Sequence, residues 1–131
     1  MNSLMILHII FMALAVVLVV SAAAVARARK ADWPAKHKSL ALTGSACALA
    51  GFAYMFGLKL AKHYPHFHSP HAVAGAIALL LLIVTPLLGL LFLWLPAGLR
   101  AVHRTLGRIT ALAIVATAVM GVLRLLQILK R

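Results

Sequence analysis

Residues 71–91 read HAVAGAIALLLLIVTPLLGLL and contain no Asp, Glu, Lys or Arg. As a helix rising about 1.5 Å per residue, this stretch is about 30 Å long, the thickness of a bilayer's hydrocarbon core. Counted from its opening histidine, His71, Gly75 and Gly89 stand at offsets +4 and +18. A helix turns about 100° per residue, so both offsets return to nearly the face of the histidine. The next apolar run repeats the arrangement, with Gly107 and Gly121 following His103 at the same two offsets. The two runs share one frame of histidine and glycine.

The two runs that precede them follow the same plan more loosely. Gly51 stands at offset +14 from His37, and Ala22 and Ala26 at offsets +14 and +18 from His8. Together the four runs predict membrane spans at about 4–26, 38–60, 71–95 and 104–129. Short connections force neighbouring helices to run antiparallel. The expected fold is an all-α membrane protein, a four-transmembrane-helix up-down bundle forming one domain over residues 1–131.

Composition agrees. The chain is 65% hydrophobic with a mean hydropathy of +1.08, beyond the roughly half-apolar content of ordinary soluble domains. The small residues of SAAAVARA offer a cleavage signature, but no basic residue precedes the first run and the run is too long for a leader, so it is expected to stay as a span. The lone Cys47 reads as a small packing residue.

Thirteen Lys plus Arg against one acid, Asp32, give a formal charge of +12. In a soluble chain this would suggest nucleic acid. Beside membrane spans it reads as orientation and lipid contact, with no nucleic-acid partner. Arg27, Arg29, Lys30, Lys36, Lys38, Arg100, Arg104 and Arg108 flank the first and third loops, whereas Lys59, Lys62, Arg124, Lys130 and Arg131 mark the other side. That bias predicts both termini outside the cytoplasm, with anionic headgroups as partners. The membrane expected is the cytoplasmic membrane of a bacterium.

An ionisable group inside a membrane is costly and usually functional. Because the spans alternate in direction, His8 and His71 fall on one side, and His37 and His103 on the other. Four histidines so paired suit axial ligation of two haems, each iron taking one imidazole nitrogen from each of two helices. Small residues in phase with them suggest room for a flat macrocycle, with close helix packing as the competing use of glycine. Haem propionates need donors near each surface. Arg108, with Arg104 and Lys38, is expected on one side, and Arg124, with Lys59 or Lys62, on the other. Trp33 and Trp94 sit where interfacial aromatic belts are expected, and Pro86 is expected to kink the third span.

Residues 66–91, HFHSPHAVAGAIALLLLIVTPLLGLL, and 102–123, VHRTLGRITALAIVATAVMGVL, resemble the third and fourth helices of the transmembrane core of the cytochrome b561 family, most closely the type joined to DOMON domains. HIIFMALAVVLVVSAAAVAR and HKSLALTGSACALAGFAYMF are similar, more loosely, to its two preceding helices. The resemblance implies two b-type haems, with His8 and His71 on one and His37 and His103 on the other, and Gly75 and Gly107 beside them. It also implies electron transfer across the membrane from a quinol or other small reductant to a redox partner, the activity of an oxidoreductase subunit. Against the family's pattern, four spans are expected rather than six and no DOMON domain, and Thr85-Pro86 stands where Gln-Pro is common.

Other classes stay open at this point. The chain could be a structural or assembly subunit of a larger membrane respiratory complex. The cluster His63, His66, His68 and His71 could suggest zinc or copper, but two prolines break its register and no carboxylate or thiolate accompanies it. A transporter is disfavoured because no span carries an acid for ion coupling.

Overall fold

The computed structural model describes residues 3–91 and 98–130. Trp94 and the last residues of the third expected span lie outside them. Four helices follow one another: α1 (Ser3–Ala28), α2 (Trp33–Ala61), α3 (Pro70–Leu91) and α4 (Leu99–Leu129). Each is long and apolar enough to cross a membrane, so this is an all-helical, multi-pass integral membrane protein. Its surface is apolar in keeping with a lipid solvent, Leu112 being 71% exposed and Val17 62%.

Two helices begin about five residues earlier than hydropathy predicts, α2 at Trp33 rather than 38 and α4 at Leu99 rather than 104. Hydropathy detects only the part inside hydrocarbon, whereas a helix propagates into the headgroup region wherever the backbone allows. Pro34 suits the first turn of α2, where its missing N–H has no partner to lose. With 29 and 31 residues, α2 and α4 are about 43 and 46 Å long, against a core of about 30 Å. His37 and His103 therefore sit in the second turn of their helices.

The ends have local causes. Arg29 and Asp32 take left-handed backbone angles in the tight turn between α1 and α2. α2 stops at His63, whose φ of 54° lets the amide of Tyr64 donate to the carbonyl of Lys59 at 2.9 Å and that of His63 to Leu60 at 3.2 Å, the paired bonds of a Schellman ending. Lys59 Nζ then donates to the carbonyls of Pro65 and His66 at 3.3 and 3.2 Å, fastening the loop to the helix it leaves. α3 restarts at Ser69-Pro70. Ser69 Oγ accepts the amide of Ala72 at 3.3 Å and proline occupies the first helical position, so His71 lies in the opening turn.

α1 packs on α2 and α3 on α4, with thinner seams between α1 and α4 and between α2 and α3; among the described residues the diagonal pairs do not approach one another. One register governs both hairpins. Counting each helix from its histidine, opposed positions have offsets that sum to 18. Gly44 faces Val19 (7 and 11), Gly51 faces Met12 (14 and 4), Gly107 faces Thr85 (4 and 14), Gly75 faces Thr117 (4 and 14), Gly89 faces His103 and Gly121 faces His71 (18 and 0).

The core obeys the same count. Every buried residue among those described lies at offset 7, 11 or 14 from one of the four histidines: Ala15, Val19 and Ala22; Gly44, Ala48 and Gly51; Ala78, Leu82 and Thr85; Thr110 and Ile114. The packed layer thus fills the middle of the bundle, between the two histidine levels. Cys47 packs against it as a partly buried side chain.

Pro86 lies inside α3, which stays helical through it. Proline has no N–H for the carbonyl four residues back, that of Leu82. Ser45 Oγ of α2 donates to that carbonyl at 3.0 Å, which restores the lost bond and fastens α2 to α3 along their thin seam.

Candidate functional site

Each of the four histidines is tied to a neighbouring helix by the same bond. His8 Nδ1 donates to Gly51 O at 2.9 Å and His37 Nδ1 to Ala22 O at 2.9 Å. His71 Nδ1 donates to Thr117 O and His103 Nδ1 to Thr85 O, both at 3.1 Å. In all four cases the acceptor stands at offset +14 from the histidine of the hairpin partner. A carbonyl only accepts, so Nδ1 carries the hydrogen. In the neutral ring Nε2 then keeps its lone pair, as a metal ligand requires. A backbone carbonyl on the remaining ring nitrogen is the usual outer partner of a ligating histidine, fixing both tautomer and ring orientation.

Helix order sets the pairing. His37 and His103 stand on diagonal helices whose backbones do not meet, yet their rings reach into the interior to 6.0 Å between centroids, at 88° to each other. Metals bind imidazole nitrogen at about 2.0–2.1 Å, so an ion held between two Nε2 atoms, with half a ring added on each side, places the centroids about 6 Å apart. The ring spacing therefore fits two imidazoles sharing one metal. On the other side His8 and His71 likewise stand on diagonal helices, His8 bonded to the Gly51 carbonyl of α2 and His71 to the Thr117 carbonyl of α4. The His103 ring lies between Thr85 and Gly89 and the His71 ring between Thr117 and Gly121, which puts the two ring levels roughly 20 Å apart at about 1.5 Å per residue.

The glycines are not all used as the sequence suggested. A Cβ on Gly89 would lie 2.9 Å from His103 Cε1, and one on Gly121 would lie 2.9 Å from His71 Cε1. Their level is the one predicted, that of the opposite ligand, but what presses on the backbone there is the imidazole ring itself. Gly75 and Gly107 have more space, a Cβ standing 3.7 Å from Thr117 Cγ2 and 3.9 Å from Thr85 Cγ2. In the first hairpin Gly44 and Gly51 serve close helix packing, with Val19 Cγ2 2.9 Å and Phe11 Cβ 2.9 Å from the added carbon.

Lys59 is occupied by the loop carbonyls it binds, and so differs from the free cation expected near His71. Arg108 is exposed and lines a shallow surface pocket with Ala101, Arg104 and Thr105. Arg124 is also exposed. It stands in the last two turns of α4. Among the described residues no three of His, Cys, Asp and Glu gather into a metal-binding group, so the histidines of the second loop do not assemble. His66 instead stacks on Phe56 with centroids 4.2 Å apart, and Trp33 lies beside His37 at 6.3 Å.

Sequence reading missed the threonines. Thr85 and Thr117 carry the carbonyls that hold two of the rings, and Thr85 Oγ1 bonds Thr110 Oγ1 at 2.8 Å. The signal lay in the offsets of 7, 11 and 14, at which all four helices place small or aliphatic residues or threonine.

Fold and site together define a four-helix membrane protein with four half-buried imidazoles at two levels, each bonded through Nδ1 to a backbone carbonyl of the neighbouring helix. The family model described as eukaryotic cytochrome b561 matches residues 2–129. The chain belongs to the cytochrome b561 family, and with it comes an association with b-type haem and transmembrane electron transfer. No curated protein and no solved structure matches the chain. The eukaryotic description of the family lends no support to the bacterial membrane expected from the sequence.

Proposed function

We propose that the protein carries electrons across its membrane through two b-type haems, one held by His8 and His71 and the other by His37 and His103, between a quinol or other small reductant and a redox partner protein. The observation that carries this reading is the fourfold Nδ1–carbonyl bond, which presents four imidazoles in one tautomer at two levels. Haem iron supplies a one-electron couple, and two imidazoles per iron leave no open position for chemistry on oxygen or substrate.

The chain's own residues hold the rings and exclude water. Ala22, Gly51, Thr85 and Thr117 fix ring orientation through their carbonyls, so little rearrangement accompanies a change of charge at either level. The layer from Ala15 to Ile114 keeps the space between the levels dry and closely packed. Gly75 and Gly107, where a side chain would narrow the space beside the ligands, belong to the haem surroundings. Arg108 and Arg124 are the cations proposed to meet propionates at the two surfaces. Loops one and three face the cytoplasm in this reading, with both termini on the other side, and bacterial cytoplasmic membrane remains our proposed location.

The test is a pyridine haemochrome assay on purified wild type, His37→Ala and His71→Ala. Two haems per chain, falling to one in each variant, are expected. A wild type without haem would overturn the reading and favour a structural or assembly subunit.

A further inference from the structure

α3 and α4 place their histidine contacts on one shared register, but the buried positions within it are not all alike. His103 takes the carbonyl of Thr85 and His71 that of Thr117. The methyl of Thr85 faces Gly107 and that of Thr117 faces Gly75. At offset +7 from each histidine the helices differ, with Thr110 in α4 and Ala78 in α3, both buried at 3% exposure. Thr110 Oγ1 donates to Leu106 O at 2.8 Å, so its oxygen is left to accept the hydroxyl hydrogen of Thr85 across the helix interface. Thr117 meets no such partner and donates within its own helix to Ala113 O at 2.8 Å.

We propose that Thr85 and Thr110 form a positioning pair for the His37/His103 site, one that the His8/His71 site lacks. The residue whose hydroxyl is held by Thr110 is the residue whose carbonyl holds His103. The interhelical bond therefore fixes both the rotation of α3 against α4 and the direction of the carbonyl that orients the ring. Two sites that the register makes nearly equivalent become distinguishable at their ligands. Ring orientation governs the ligand field at a bis-imidazole iron, so the pair acts on the electronic state of one haem. This inference rests on the proposed haem ligation.

The test uses low-spin ferric resonance spectra and reductive titrations of the purified, haem-loaded full chain. Thr85→Val and Thr110→Val each remove the bond and strand no polar group. In the first, Thr110 keeps its bond to Leu106; in the second, the Thr85 hydroxyl can turn to its own helix, as that of Thr117 does. Each should shift or broaden the resonance of the haem that is lost in His37→Ala and move its midpoint, leaving the other haem unchanged, and Thr85→Ser should restore the wild-type signal. Ala78→Thr should build the missing bond to Thr117 and shift only the haem lost in His71→Ala. Unchanged spectra in both valine variants, or equal shifts at both haems, would overturn the inference while leaving the haem assignment standing. A wild type without haem overturns both.

Discussion

The two hairpins share one register and spend it differently. In α1 and α2, glycine brings backbone against backbone: a Cβ on Gly44 would stand 3.2 Å from the amide nitrogen of Val19. In α3 and α4, glycine brings backbone against imidazole, and threonine methyls fill the level between. The same residue type at related offsets is thus a packing device in one half and a seat for an imidazole ring in the other. What decides is the residue opposite. Where the offsets pair 18 with 0, glycine meets a histidine; where they pair 7 with 11, it meets an aliphatic side chain.

That contrast can be broken most severely at Gly44. Gly44→Val should force α1 and α2 apart along their closest seam, because Val19 Cγ2, Leu18 Cβ and the Val19 amide all lie within 3.2 Å of the added carbon. Overpacking of this kind typically costs about 1–3 kcal/mol and more where backbone must move. Thermal unfolding in detergent should show the loss, with both haems lost together, since the core layer is shared. Retention of one haem at full occupancy would show that the hairpins are independent.

The seats in the second hairpin should respond one at a time. Gly89→Ala places a methyl 2.9 Å from His103 Cε1, and Gly121→Ala does the same to His71. A ring can tilt where a backbone cannot, so the expected result is a folded protein in which only the haem on the affected side changes its absorption maximum or occupancy. Equal changes at both haems in either variant would show that these glycines set overall packing, as they do in the first hairpin.

The halves also differ in how far the sequence discloses them. His71, Gly75 and Gly89 repeat as His103, Gly107 and Gly121, so the spans of the second hairpin and the helix ends at which its histidines stand could be read from spacing alone. At the same two offsets the first hairpin carries Met12 and Ala26 in α1 and Ala41 and Met55 in α2, residues too common in membrane helices to announce a frame. The Nδ1 acceptors were illegible for a different reason. They are backbone carbonyls, which any residue supplies, so Ala22, Gly51, Thr85 and Thr117 carry no shared side-chain signature. The early starts of α2 and α4 were hidden because Lys36, Arg100 and their neighbours are polar and helical at once.

The thin seam between the hairpins offers the mildest and most specific test. Ser45 Oγ supplies the bond that Pro86 removes from Leu82, so Ser45→Ala should leave a carbonyl unpaired in an apolar setting, at a cost of about 1–3 kcal/mol. Pro86→Ala restores an N–H four residues after Leu82 and should make the serine redundant. In a double-mutant cycle, read by thermal unfolding in detergent, Ser45→Ala should therefore destabilise the wild type clearly and the Pro86→Ala background little. An equal loss in both backgrounds would show that Ser45 contributes by its volume in the apolar groove with Leu42, Leu49 and Leu87. The bond to Leu82 would then carry none of the adhesion between the halves.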